Sequence, residues 1–165
     1  MTLNPAVKRR NRRVVLIAAI AALSSAVFAP PSRALSDRIL HDSYTGIAIG
    51  GFDPVAYFLE GRAAPGDPAL EVVWGGAYWR FANPGNAAAF EDAPSVYAPA
   101  YGGYGVVGIA RGVPQPGDPR LFAVYRNRLF FFYALDDLRA FRDDPGPLIA
   151  AADDFWPRIL TQLAD

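Results

Sequence analysis

The chain has 165 residues, 52% hydrophobic and 13% aromatic, with 16 basic residues, 16 acidic residues and no cysteine. Without thiols it has no disulfide, no thiol nucleophile and no zinc–thiolate site, and one histidine with one methionine leaves no soft-metal cluster. The net charge of zero hides a strong asymmetry along the chain.

Residues 1–13 carry Lys8, Arg9, Arg10, Arg12 and Arg13 and no acid. Val14 to Ala29 then run sixteen residues without a charge, and Pro30-Pro31-Ser32-Arg33-Ala34 follows. A basic start, a short apolar core and a small-residue exit predict a signal peptide over 1–34, cut after Ala34. Arg12-Arg13 directly before the apolar core resembles a twin-arginine export signal. The alternatives are an ordinary arginine-rich secretory start and an uncleaved anchor; sixteen apolar residues fall short of the roughly 17–25 of a spanning helix. The segment holds six basic residues and no acid, so about 131 residues remain with a charge near −6 and no lysine. The expected location is outside the cytoplasm, periplasmic or secreted. An acidic domain of this kind is poorly suited to nucleic acid or an anionic membrane surface. Membrane contact is expected only through an uncleaved signal sequence.

Residues 35–46 read as an N-terminal tail carrying His41, the only histidine, and 47–165 as one domain. Asp53-Pro54 predicts a short helix running to Gly61, with Asp53 as N-cap and proline at the first position. Pro65-Gly66-Asp67-Pro68 then recurs as Pro116-Gly117-Asp118-Pro119, 51 residues later. At that spacing Leu70 falls on Leu121, Phe81 on Phe132, Phe90 on Phe141, Asp92 on Asp143 and Pro94 on Pro145. The pattern predicts a duplicated unit over 65–94 and 116–145. Each copy opens on its turn and continues as two short apolar runs. Gly75-Gly76 joins the runs in the first copy and Arg126-Asn127 in the second. A helix follows, from Asn83-Pro84 to Asp92 in one copy and from Leu135 to Arg142 in the other. A last helix is expected over Pro147 to Phe155, with Pro157 kinking it or opening a final turn to Leu163. The expected fold class is α+β: two pseudo-repeated ββα units with short antiparallel strands and flanking helices.

Three ordered segments carry a resemblance. They are Gly51-Phe52-Asp53-Pro54-Val55-Ala56-Tyr57-Phe58, Tyr97-Ala98-Pro99-Ala100-Tyr101-Gly102-Gly103-Tyr104, and Ala152-Asp153-Asp154-Phe155-Trp156-Pro157. Together they resemble the YHS domain family over roughly residues 45 to 160. The resemblance implies a small α+β fold, usually exported in bacteria, with no established reaction. Many members place cysteine after the Gly-Gly-Tyr, and metal-binding relatives after the strand aromatic; Gly105 and Ala82 stand there in this chain.

The aromatic and glycine-rich segment 97–104 is the leading site candidate. Its tyrosines combine large apolar bodies with hydroxyls, and its glycines permit close approach to the backbone. What approaches is either a ligand or the C-terminal helix with Trp156. Asp53 reads as a site carboxylate or as the helix N-cap. The ligand-binding candidates are Asp53, Tyr57, Tyr97, Tyr101, Gly103, Tyr104 and Trp156. Gly103-Tyr104-Gly105-Val106-Val107-Gly108 fits a dinucleotide pattern without the flanking strand and helix, and reads as a close-packed backbone turn. The acidic pairs Asp136-Asp137, Asp143-Asp144 and Asp153-Asp154 read as a solvated face, because neighbours on a helix point apart. No catalytic residue, metal ligand or cofactor is expected. The function that fits is an exported module binding a small molecule or partner protein. The alternative is a cell-envelope enzyme or metal-binding protein using carboxylate and tyrosine groups.

Overall fold

The computed structural model describes residues 39–163. The expected signal peptide over 1–34, with its Arg12-Arg13 pair and expected cut after Ala34, lies outside the described residues. The described chain is α+β, with two small antiparallel two-stranded sheets and several helices.

Strand β1 (Asp67–Trp74) pairs with β2 (Ala77–Phe81), and β3 (Asp118–Tyr125) with β4 (Arg128–Phe132). Both hairpins turn through two residues of positive φ: Gly75 and Gly76 at 62° and 75°, Arg126 and Asn127 at 48° and 58°. Positive φ at both central positions gives the turn whose twist matches that of the strands. Glycine adopts it freely and asparagine tolerates it, whereas Arg126 holds a conformation that costs an ordinary side chain about 1–2 kcal/mol.

The helices are α1 (Ala56–Leu59), α2 (Pro84–Asp92), α3 (Pro94–Tyr97), α4 (Val106–Ala110), α5 (Leu135–Asp143) and α6 (Pro145–Gln162). Asn83 caps α2 by accepting the Asn86 N–H at 2.9 Å, with Pro84 at the first position. Helix α1 is shorter than the apolar run to Gly61 implies: Pro54 and Val55 form a turn before it. Helix α6 is longer than predicted. Pro157 lies inside it and neither ends it nor opens a separate turn. Proline removes one helical hydrogen bond; burial of Ala152 and Ile159 on either side offsets that loss.

Two clusters form the core. In the first, Phe90 of α2 packs on Trp74, Trp79 and Phe81 at ring separations of 5.8, 5.0 and 5.2 Å. In the second, Phe141 of α5 packs on Tyr125, Phe130 and Phe132 at 6.1, 5.2 and 5.0 Å. Strand β4 belongs to both clusters: Leu129 and Phe131 face the first, Phe130 and Phe132 the second. That accounts for the unbroken apolar run Leu129-Phe130-Phe131-Phe132, since a strand buried on both faces has no polar side. Burying each of these phenylalanines contributes about 1.5–3 kcal/mol.

The segment before the domain is attached to it. Ile39 is buried, Leu40 N–H donates to Gly102 O at 2.8 Å, and Asp42 N–H to Ile47 O at 3.0 Å. His41 therefore sits on packed chain rather than on a mobile tail, its Nδ1 2.8 Å from Ile39 O.

Candidate functional site

The segment singled out in the sequence folds as α3 followed by a 3-10 turn over Ala100–Gly103. Tyr101 sits in this turn at φ 53°, a conformation that L side chains rarely adopt. Four contacts hold it there. Its ring is buried 6.1 Å from Phe130 and 5.7 Å, edge-on, from Trp156. Its hydroxyl donates to Asp153 Oδ1 at 2.8 Å. The Arg128 guanidinium lies 5.4 Å over the same ring.

Arg128 also donates to both oxygens of Asp153, at 3.0 and 3.3 Å, the bidentate geometry that orients a carboxylate most firmly. Partial desolvation pushes the Asp153 carboxyl up, but the hydrogen bonds from Arg128 and Tyr101 and the arginine charge outweigh it, leaving a net lowering. Desolvation and the hydrogen bond to Asp153 push the Tyr101 phenol well above its ordinary value. At neutral pH the trio is therefore a neutral phenol, a carboxylate and a guanidinium, locked together across the hairpin turn and α6.

This trio walls a cleft of about 340 Å³, whose lining also includes Trp74, Ser95, Val96, Asn127 and Trp156. Trp74 and Trp156 are half-buried and present ring surface. Apolar walls with a few converging polar groups are the usual make-up of a small-molecule site.

Of the seven residues picked from sequence, two line this cleft: Tyr101 and Trp156. Tyr104 packs 6.2 Å from Trp156 behind it, and Tyr97 lies edge-on to Phe58 at 5.5 Å. Gly103 is buried between Leu40 and Pro99, whose atoms lie 3.7 Å from where a Cβ would stand.

Asp53 is fully buried and occupied internally. Its Oδ1 accepts the Val55 and Ala56 N–H groups at 2.8 and 3.3 Å. Its Oδ2 accepts Ala82 N–H at 2.8 Å and Asn86 Nδ2 at 2.6 Å. Helix α1 starts later than expected, with Val55 at its N-cap position, so Asp53 holds the turn leading into α1 rather than capping it, and ties that turn to the end of β2 and to α2. Tyr57 is likewise buried, its hydroxyl donating to Pro119 O at 2.9 Å. Neither residue lines the cleft.

Sequence reasoning missed Trp74, Asn127, Arg128 and Asp153. Asp153 is exposed, as a solvated face requires, and in addition accepts from Arg128 and Tyr101. Asp136 and Asp154 pair with Arg139 and Arg158, each one helical turn away. The glycine pattern 103–108 does not form the expected turn alone: a 3-10 turn precedes Gly105, and α4 begins at Val106. A Cβ on Gly108 would come within 2.6 Å of Val113 O, so this glycine serves close packing.

Among the described residues, no group of three or more His, Asp or Glu side chains could hold a metal ion, and no helix is long and apolar enough to cross a membrane. No protein-family model, curated protein or solved structure matches the chain.

Proposed function

We propose that this protein is an exported binding module that holds a small molecule in the cleft between the Ala100–Gly103 turn and α6. The observation that carries this reading is Tyr101. A tyrosine held at positive φ, with its hydroxyl fixed to Asp153 and its ring forming a wall, expends conformational energy where packing alone would be served by glycine. The polar groups at hand are Asn127, Ser95, Arg128 and Asp153. With two tryptophan faces they suit a compact ligand that stacks on one side and forms hydrogen bonds on the other.

The finer fold reading belongs with this proposal. The bounds of β1 and β2, and of α2, stand 51 residues before those of β3, β4 and α5. The ring contacts of Phe90 and Phe141 involve residues related by the same spacing. These observations support a duplicated ββα unit. The YHS resemblance and the N-terminal signal rest on the sequence motifs. The enzyme alternative has less support, because Asp53, its leading carboxylate, has both oxygens occupied by protein donors.

Small molecules extracted from the purified exported protein and identified by mass spectrometry test the proposal. A bound compound should raise the melting temperature of the wild-type protein and bind at least about tenfold more weakly to Trp156→Ala, the loss of one aromatic contact of about 1.4 kcal/mol. An extract free of any specific compound would remove the basis for the reading, as would a compound whose affinity is unchanged by Trp156→Ala.

A further inference from the structure

We infer a second, independent site: a groove along the outer edge of β3 that takes an extended, acidic peptide segment by strand addition. A cavity of about 630 Å³ is lined by residues from both faces of β3, Phe122 on one and Ala123 and Tyr125 on the other, together with Phe141 of α5 and Tyr57. Phe122 packs on the first core cluster, Ala123 and Tyr125 on the second. One cavity reaching residues of both faces must run along the edge of the strand, because successive side chains point to opposite sides.

That edge offers unpaired backbone groups. In a hairpin with a two-residue turn, the residues flanking the turn exchange both hydrogen bonds, here Tyr125 and Arg128. Alternation then makes Ala123 and Phe130 the next bonded pair, and the N–H and C=O groups of Phe122 and Val124 point away from β4. The same rule holds in the other hairpin, where Tyr78 is outward-facing and bonds Gly46 O and Ala48 N–H across the β2 edge. Gly105 covers the outer edge of β4. Among the described residues no strand covers the outer edge of β3; near its start the Pro119 carbonyl is taken by the Tyr57 hydroxyl and the Arg120 N–H by the Asp118 carboxylate.

Charge selects the occupant. Arg120 and Arg142 both line the groove, and neither is within ion-pair distance of a carboxylate among the described residues. The guanidinium of Arg120 is held 5.1 Å over the Phe52 ring. The nearby Asp118 carboxylate already accepts the Arg120 N–H at 2.8 Å. Two free guanidinium groups flanking an apolar floor and a bare strand edge match an extended segment that alternates acidic and apolar residues. The outer edge of β1 lacks this equipment: Glu71 on it is paired with Arg80.

The probe is a short fluorescein-labelled peptide alternating glutamate with valine, titrated against the full chain by fluorescence anisotropy. It should bind at least about tenfold more tightly than its lysine–valine counterpart. Arg120→Glu with Arg142→Glu, both at exposed positions, should invert that preference. N-methylation of the peptide backbone should abolish binding, and hydrogen exchange at the Phe122 and Val124 amides should slow when the peptide is present. Equal affinity for the glutamate and lysine peptides, or unchanged exchange at those amides, would overturn the inference. Protection of the same amides by self-association in peptide-free protein would also overturn it, by making a second copy the occupant.

Discussion

The Tyr101 hydroxyl donates to Asp153 Oδ1 across 52 residues of sequence, and Arg128 grips the same carboxylate from the hairpin turn. The folded chain thus holds the Asp153 carboxyl below its ordinary value of 3.8. A lowered carboxyl contributes stability above that ordinary value and loses it as pH falls through the folded value. Asp153→Asn should therefore be less stable than wild type at neutral pH, with the gap closing below about pH 4. The trio is partly exposed, which keeps the loss within about 1 kcal/mol. Urea midpoints of both proteins between neutral pH and pH 3 check this; a gap that stays constant with pH would mean that the carboxylate charge plays no part.

Tyr57 and Tyr101 make the corresponding prediction at the alkaline end. Burial pushes both phenols well above the ordinary 10.0, aided at Tyr57 by the Asp118 charge and at Tyr101 by the hydrogen bond to Asp153. A raised phenol contributes stability below its ordinary value and loses it as pH rises. Both tyrosines should ionise late, together with alkaline unfolding. In an ultraviolet titration, Tyr57→Phe and Tyr101→Phe should each shrink the late rise in tyrosinate absorbance. Early ionisation of either would contradict the burial described above.

Asp53 is a structural hub, and its substitution should act on stability. Asp53→Ala orphans the N–H groups of Val55, Ala56 and Ala82 and the amide of Asn86, for a loss of about 3–5 kcal/mol. Asp53→Asn should recover only part of this, because its amide nitrogen faces donors wherever it turns. Asn86→Ala removes one partner and should cost about 1–2 kcal/mol. Denaturant unfolding ranks the three. If Asp53→Asn is as stable as wild type, the account of Oδ2 as an acceptor for two donors fails.

What was legible in the sequence was local. Asn83-Pro84 marked the start of α2 because capping involves only neighbouring N–H groups. Gly75-Gly76 marked a turn because glycine is free at positive φ, while Arg126 took the same conformation with no local signal. The local bonds of Asp53 to Val55 and Ala56 were legible, although the helix itself starts only at Ala56; its bonds to Ala82 and Asn86 cross 29 and 33 residues and left no trace in spacing. The cleft was half legible. Tyr101 and Trp156 stood out as aromatics near glycine or proline, whereas Arg128 and Asp153 acquire their roles only when α6 lies beside the second hairpin. Asp153 lies on the helix expected from sequence, but its partners Tyr101 and Arg128 stand 52 and 25 residues away, and no local spacing records such contacts.

Gly66 and Gly117 should be the least replaceable glycines of the domain. A Cβ on Gly66 would stand 2.5 Å from the Arg80 backbone carbon and Cβ, and one on Gly117 2.5 Å from Phe131 Cβ and 2.7 Å from Gly103 O. These are backbone or backbone-proximal atoms, so no side-chain rotation relieves the clash. Each glycine N–H also bonds the turn before its hairpin, Gly66 to Gly51 O at 2.9 Å and Gly117 to Gly103 O at 3.1 Å. Gly66→Ala and Gly117→Ala should each lose about 3 kcal/mol or more, at the upper end of overpacking costs. Gly61→Ala and Gly76→Ala meet no atom within 4 Å and bear only the strain of positive φ, about 1–2 kcal/mol. Urea unfolding of the four variants separates the two causes, because only Gly61 and Gly76 have positive φ; equal losses would mean that crowding at Gly66 and Gly117 costs no more than that strain. All four should unfold in a single transition with an unchanged slope. Strand β4 supplies side chains to both core clusters, so damage at Gly66 in one unit must also loosen the packing of the other.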